Sequence, residues 1–343
     1  MRIDEFDYHL PDDLIAQQPL ANREASRMLV VDRGTGTCSD DQFTSFPDLL
    51  NAGDLVVVNN TKVFPARLYG HTDTGAGVEI FLVNELADGT WEVLAKPGRR
   101  LKIGKRITFA DDLAAEVVEK EEDGKVIVAF TASGDLATIV DRIGQTPLPP
   151  YIKRDKETID DDRERYQTIY AANRGAIAAP TAGLHFTPRV IDQLREKGVE
   201  IVELTLHVGY GTFEPVRVDE LGDHRVMAER YEISESAAAK LNKGKSESRR
   251  IVAIGTTTTR ALESNLARYE TFMPGWHSAD LTITPGYKFR AVDSLLTNFH
   301  LPKSSLLVLT STFGGHELIM SAYEHAVRER YRFYSYGDCM FVV

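Results

Sequence analysis

Between residues 66 and 143 the apolar positions gather into runs of strand length, at 78–83, 90–95, 106–109, 115–118 and 125–130, parted by Asp88-Gly89, Gly104, Glu122-Asp123-Gly124 and Ser133-Gly134. About six short strands closed by glycine-bearing turns predict a small antiparallel barrel. Upstream, apolar runs at 27–31 and 55–58 are strand-like too, the first ending at Asp32-Arg33-Gly34 and the second starting after Asn51-Ala52-Gly53. Thr146-Pro147-Leu148-Pro149-Pro150 stiffens the chain, and beyond it the texture changes. Thr187-Pro188 opens a helix that Gly198 closes, and an apolar strand at 199–206 follows, the alternation of an α/β unit. The first sixty residues hold too few elements to close a core of their own, so they are expected to join the C-terminal part. The expected fold class is α/β with an inserted antiparallel β-barrel. Residues 1–65 plus 151–343 would form the α/β domain and residues 66–150 the barrel. A length of 343 residues fits two domains of ~150 residues each.

Composition narrows the class. Hydrophobic residues at 43% and charged residues at 27% are ordinary globular usage, which excludes disordered and low-complexity chains. Cys38 and Cys339 stand at opposite ends, leaving no CxxC pair for zinc or an iron–sulfur cluster and pointing to a reducing cytosol. No apolar run approaches the ~18 residues of a membrane span, and the N-terminus is acidic from the fourth residue, so a cytoplasmic protein without a membrane partner is expected. With 51 acidic and 40 basic residues the net charge is -11, against bulk attraction for nucleic acid. A local exception is the strip Lys96, Arg99, Arg100, Lys102, Lys105 and Arg106, six cations within eleven residues that contain no acid.

Familiar cofactor motifs are missing. The glycine pairs Gly34/Gly36, Gly75/Gly77 and Gly209/Gly211 lack the third glycine of a dinucleotide fingerprint, and Ala239 stands where a P-loop ending in Gly244-Lys245-Ser246 needs glycine. None of the nine histidines forms a helical metal pair, so metal-free chemistry without a cofactor is expected.

Several polar constellations remain. Ile251-Val252-Ala253-Ile254 leads through Gly255 and Thr256-Thr257-Thr258-Thr259 to Arg260, a strand running into a helix start whose free N–H groups suit an anionic or polar group. The alternative there is a threonine-capped helix with Arg260 and Glu263 paired at i,i+3. Ala178 to Pro188 is a small-residue loop carrying Thr181 and His185, the histidine serving either as acid–base group or as a hydrogen-bonded packing residue. Thr205-Leu206-His207-Val208-Gly209-Tyr210-Gly211 ends a strand in glycines. In Thr297-Asn298-Phe299-His300, Asn298 and His300 would face one side if extended. The aromatics of Tyr331-Arg332-Phe333-Tyr334-Ser335-Tyr336-Gly337-Asp338 read as core rather than a base-stacking surface.

Taken in order, these segments, with Ser26-Arg27, Asn59-Asn60-Thr61-Lys62-Val63, Pro65-Ala66-Arg67-Leu68, Pro285-Gly286-Tyr287 and Ser335 to Asp338, resemble the S-adenosylmethionine:tRNA ribosyltransferase-isomerases of queuosine biosynthesis over essentially the whole chain. The resemblance implies two domains and a reaction that moves the ribosyl part of S-adenosylmethionine onto 7-aminomethyl-7-deazaguanine in the anticodon of tRNA. The product would be epoxyqueuosine, with adenine and methionine released. S-adenosylmethionine is then a consumed substrate, and the implied tRNAs carry a GUN anticodon, with no obligate protein partner evident.

By resemblance and residue type, His185, His207 and His300 are acid–base candidates. Thr181 joins the substrate-binding set; Thr256, Thr257 and Arg260 would hold a carboxylate or phosphate, and Asn298 and Asp338 ribose or base edges. The basic strip would bind tRNA. Two departures stand out: Met227 occupies a position where the family usually has histidine, three residues after His224, and Trp276-His277-Ser278-Ala279-Asp280 replaces a Trp-Thr step. The competing readings are a non-catalytic RNA-binding paralogue, supported by Met227 alone, and a nucleoside-directed glycosyl transferase or hydrolase, which would have no use for the basic strip.

Overall fold

A computed structural model describes residues 1–98, 101–121, 124–154, 159–209, 216 and 218–343. Arg99 and Arg100 of the basic strip, and residues 210–215 after the Thr205 strand, lie outside the described residues.

Strands β1 (Arg27–Asp32), β2 (Thr37–Gln42) and β3 (Leu55–Asn59) precede the short β4 (Thr61–Val63). Six strands then close into a barrel: β5 (Arg67–Thr72), β6 (Gly77–Glu85), β7 (Trp91–Lys96), β8 (Arg106–Ala110), β9 (Leu113–Lys120) and β10 (Val126–Ala132). Every pairing in it is antiparallel, and inward positions such as Ile80, Val93, Ile107, Val126 and Val128 are fully buried. The first barrel strand, β5, is one the run pattern did not single out, because Tyr69 and His71 are exposed on its outer face. Helices α1 (Leu136–Ile143) and α2 (Ile159–Arg165) follow.

The rest of the chain supplies β11 (Asn173–Ala176), α3 (Pro188–Glu196), β12 (Glu200–Leu206), β13 (Glu229–Ile233), α4 (Glu235–Ser246), β14 (Ile251–Ile254) and α5 (Thr256–Tyr269). It ends in β15 (Gly275–Ala279), β16 (Ser294–Asn298), α6 (Ser305–Gly314), α7 (His316–Arg328) and β17 (Cys339–Val342). Helix α3 starts as its sequence predicts: the Thr187 hydroxyl accepts the Val190 N–H, Pro188 takes the first position, and Gly198 leaves the helix at φ 81°.

One nine-stranded sheet, ordered β15-β13-β12-β3-β14-β16-β17-β1-β2, takes strands from both sides of the barrel in sequence, so the barrel is inserted into the α/β unit. All residues of β3, β14 and β16 are buried, as expected of central strands covered on both faces. Leu55, Val57, Ala253 and Leu295 pack into one core; Val56, Val58, Val252, Ile254 and Leu296 pack into the other. Strand β17 follows the aromatic C-terminal stretch, whose predicted core character holds: Tyr331, Phe333, Tyr334 and Tyr336 are all buried.

Strands β12, β3, β14 and β16 run parallel, whereas β13 is antiparallel to β12 and β17 antiparallel to β16, with β1 parallel to β17. The carboxyl ends of four strands and the amino ends of β13, β17 and β1 therefore share one edge of the sheet. Ligands of open α/β sheets bind at such carboxyl ends. Among the described residues no helix is long and apolar enough to cross a membrane, and no group of three metal-ligating side chains occurs.

Candidate functional site

The small-residue loop crosses this edge as a tight turn, Thr181–His185, against the end of β16. Close approach is what the small residues permit: a Cβ at Gly183 would lie 2.2 Å from the Tyr170 hydroxyl, and one at Gly255 would touch the Cβ of Ala182 at 3.8 Å. The turn thus packs on the β14–α5 junction and brings His185 to Asn298.

His185 is 3% exposed and bonded at both ring nitrogens, Nδ1 to the Ser26 hydroxyl at 2.8 Å and Nε2 to Asn298 Oδ1 at 3.1 Å. The amide of Asn298 is oriented by Nδ2, which donates to the carbonyl oxygens of Tyr334 (2.8 Å) and Ser335 (3.4 Å). Its Oδ1 is therefore an acceptor, and Nε2 must carry the proton. Burial first, then the charges of Arg332 and Arg23, pull the imidazole down to about 4, so at neutral pH it is uncharged and Nδ1 is a lone pair facing Ser26. The Ser26 hydroxyl also reaches the Arg23 carbonyl at 3.0 Å, so its proton has two acceptors. A neutral imidazole, the amide that orients it and a hydroxyl on its free lone pair thus stand in line.

His207 and His300 occupy other positions. The Nδ1 of His207 meets the Thr61 hydroxyl at 2.9 Å, and its half-buried ring rests on Gly175, where a Cβ would lie 2.5 Å from Cε1. Burial, then Arg230, lowers its pKa. Beside it lies Trp276, 45% exposed, with ring centroids 5.6 Å apart. The Nε2 of His300 bonds the Thr297 hydroxyl at 2.8 Å, its backbone N–H bonds the Tyr323 hydroxyl at 3.0 Å, and burial drives its pKa to about 3. The expectation that Asn298 and His300 face one side is corrected. Strand β16 ends at Asn298, and His300 turns back to Thr297, whose side chain points to the opposite face from that of Asn298. Among the described residues the three histidines share no hydrogen-bond partner.

The alternative reading of the segment from Gly255 to Glu263 is replaced as well. Helix α5 begins at Thr256 with Gly255 as its N-cap at φ 94° and no side-chain cap, which replaces the threonine-capped reading. Thr258 and Thr259 bond back to the carbonyls of Ile254 and Gly255, whereas the Thr256 and Thr257 hydroxyls have no hydrogen-bond partner among the described residues. The N–H groups of the first helical turn face the same edge. Arg260 is bonded to buried Glu229, not to Glu263. Glu229 in turn accepts the Gly209 N–H at 3.1 Å. Glu263 is fully buried and accepts the N–H groups of Arg290, Ala291 and Val292 and the Tyr287 hydroxyl. Asp338, its pKa raised by burial, accepts the N–H groups of Arg27 at 3.0 Å and Arg332 at 2.8 Å, so it fastens β1 and the C-terminal loop. Half-buried Thr181 opens the turn that carries His185.

Polar groups that residue types alone did not reveal line a cavity of about 310 Å³, among them Asn60, Asn173, Glu203 and Thr205. Asn173 donates to Asn60 Oδ1 (3.2 Å) and Thr205 (2.8 Å), and Asn60 donates to Glu203 (2.9 Å). On the barrel, Lys96, Lys102 and Arg106 are exposed, while Lys105 lies 3.4 Å from Asp73. Met227 is 48% exposed on the loop before β13.

The fold and site define an α/β protein whose polar groups converge on the carboxyl edge of a parallel core, with an inserted barrel that carries one basic strip. The chain belongs to the queuosine biosynthesis protein family, whose profile matches residues 3–342. It is 49% identical over 344 residues to the S-adenosylmethionine:tRNA ribosyltransferase-isomerase of Carboxydothermus hydrogenoformans. The same enzyme of Halothermothrix orenii is 45% identical over 347 residues, and in both cases the match covers 100% of each chain. The crystal structure of the S-adenosylmethionine tRNA ribosyltransferase from Thermotoga maritima matches with a TM-score of 0.56 at 35% identity, over 99% of this chain and 100% of that one.

Proposed function

We propose that this protein transfers the ribosyl part of S-adenosylmethionine to 7-aminomethyl-7-deazaguanine in tRNA and isomerises it to epoxyqueuosine, releasing adenine and methionine. The carrying observation is that segments far apart in sequence, around Ser26, Thr61, His185, His207, Thr256 and Asn298, meet on one sheet edge. S-adenosylmethionine enters as a substrate and is consumed, and no metal or further cofactor is invoked.

The reaction needs a base for the weakly acidic ribose 5′ proton beside the sulfonium, a donor to help adenine leave, and polar groups to hold the ribose as its ring opens. His185, held neutral with Nδ1 toward Ser26, is the proposed base, acting through the Ser26 hydroxyl. His207, at the half-open end of the edge beside Trp276, is the proposed donor to a leaving or entering base. Buried His300 positions the Thr297 turn. The N–H groups and hydroxyls of Thr256 and Thr257 hold a polar substrate group, while Asn298 orients His185 and Asp338 holds the backbone around it.

The tRNA is proposed to carry a GUN anticodon and to be gripped by Lys96, Lys102, Lys105 and Arg106, with Arg99 and Arg100 of the same strip. The domain boundaries are proposed at 65/66 and 150/151, the location in the cytoplasm, and no obligate protein partner is required. Incubation with adenine-labelled S-adenosylmethionine and tRNA bearing the deazaguanine tests the reading. Adenine should appear with the precursor tRNA and not with unmodified tRNA.

A further inference from the structure

The cleft in front of His185 is lined by Leu20, Arg23, Ser26, Arg165, Ser335 and Tyr336, among others, and by no carboxylate among the described residues. Two of its walls are guanidiniums. A third, Arg332, stands close enough to depress His185.

The partners of these arginines are all backbone carbonyls: Arg23 donates to Gln167 and Glu164, Arg165 to Leu20 and Ala21, and Arg332 to Gln18. Among the described residues none of the three forms an ion pair within 4.0 Å. Moreover, Nε of Arg165 and Nη1 of Arg332 are buried without a hydrogen-bond partner. Burial first, then the neighbouring Arg165, lowers the pKa of Arg23, and burial lowers that of Arg332; both remain charged, as guanidiniums do. Like charges gathered in a half-buried cleft are unfavourable unless something answers them. Asp338 answers Arg332 in part and Glu164 answers Arg23 in part, but the Asp338 oxygens are already held by backbone N–H groups, and neither carboxylate reaches its arginine within 4.0 Å. The arginine that the sequence offered for an anion, Arg260, is by contrast already neutralised by Glu229.

Size restricts the occupant. The enclosed part of the half-open cleft is about 20 Å³, far below the ~300 Å³ of an ordinary ligand pocket, so it takes the tip of a larger ligand and not a whole one. Planar forks with free N–H groups suit the paired oxygens of a carboxylate or phosphate.

We propose that the cleft between Arg23 and Arg165, backed by Arg332, is an anion subsite that receives a carboxylate or phosphate group of a substrate. The proposal rests on the functional reading above, which supplies two sources, the methionyl carboxylate of S-adenosylmethionine and a tRNA backbone phosphate. Filling the subsite would cancel the charges beside His185 and make it a stronger base only when substrate is bound.

The test uses the full chain, with Arg23→Gln, Arg165→Gln and the charge-retaining Arg165→Lys, each checked for a wild-type melting temperature. Binding of S-adenosylmethionine and its decarboxylated analogue is compared, and tRNA affinity is followed against salt. A carboxylate source gives the wild type a roughly ten- to hundred-fold preference for S-adenosylmethionine that Arg165→Gln abolishes. A phosphate source leaves no such preference, and instead the Gln variants lose tRNA affinity with a flatter salt slope.

Folded Gln variants that keep both properties overturn the proposal. Should they unfold, the wild type alone decides: inorganic phosphate must raise the pKa of His185 in an NMR titration, and no shift overturns the subsite. Failure of the functional reading looks different, since then the wild type releases no adenine whatever the anion measurements give.

Discussion

His185 and Asn298, 113 positions apart, are joined by a 3.1 Å hydrogen bond that fixes which ring nitrogen carries the proton. The Tyr334 and Ser335 carbonyls fix the amide, the amide fixes the imidazole, and the lone pair at Nδ1 is left to Ser26. Removing the amide should therefore damage chemistry more than binding. Asn298→Ala is expected to cost ~1–3 kcal/mol of stability through unpaired buried groups, and to lower turnover with little change in KM. Imidazole nitrogen shifts should show the loss of a single tautomer. A variant with one tautomer and normal turnover would detach Asn298 from the chemistry.

His185→Gln keeps a polar group and removes the titration. Turnover is expected to fall ~10²- to 10⁴-fold, with the acid limb of its pH profile altered. The same residue shapes stability. In the unfolded chain a histidine takes its proton near 6.5, whereas folded His185 takes it only near about 4 and His300 near about 3. Between those values the unfolded state binds more protons, so stability is full above pH 6.5 and falls as pH drops through that window, by at most ~1.4 kcal/mol per pH unit for each histidine. Urea midpoints from pH 7 to 4 should fall less steeply in His185→Gln. An equally steep fall would contradict the burial account.

Most of the architecture is legible in the chain because barrel strands and α/β units carry different periods. The glycine turns at Gly89, Gly104 and Gly124 mark the barrel, and Thr187-Pro188 marks α3. Strand β2, Thr-Cys-Ser-Asp-Asp-Gln, escapes because an edge strand has little to bury, and β17 escapes because its four apolar residues merge with an aromatic core segment. The site is legible as a set of segments but not as pairings. Glu263 lies three residues from Arg260, yet the helix turns it inward to hold the 290–292 loop, while Glu229 arrives from another strand. No local spacing reports such partners. Ser26 stands next to Arg27 in the sequence and gains its meaning only when the 181–185 turn delivers His185.

On sequence grounds Arg260→Ala is a substrate-binding variant, but the pairing with buried Glu229 turns it into a stability variant. Removing a guanidinium from a buried carboxylate should cost ~3–5 kcal/mol. The double variant Arg260→Met with Glu229→Gln should recover much of that loss in thermal melts. Full stability in Arg260→Ala would show the pair to be dispensable.

The barrel strip predicts a salt-dependent grip. Replacing Lys96, Lys102 and Arg106 with serine should weaken tRNA binding and flatten log affinity against log salt by ~0.7–0.9 for each phosphate that is no longer neutralised. Adenine release at saturating tRNA should change far less. Unaltered affinity and slope would move the docking surface to the α/β domain.

The central claim is that the groups on the sheet edge consume S-adenosylmethionine by ribosyl transfer. Its most direct measurement is mass analysis of the anticodon nucleoside after incubating the protein with ribosyl-labelled S-adenosylmethionine and tRNA carrying 7-aminomethyl-7-deazaguanine. The predicted result is label in epoxyqueuosine, with one adenine and one methionine released per modified tRNA. Adenine without label in the tRNA, or an unchanged nucleoside under saturating substrates, would contradict it.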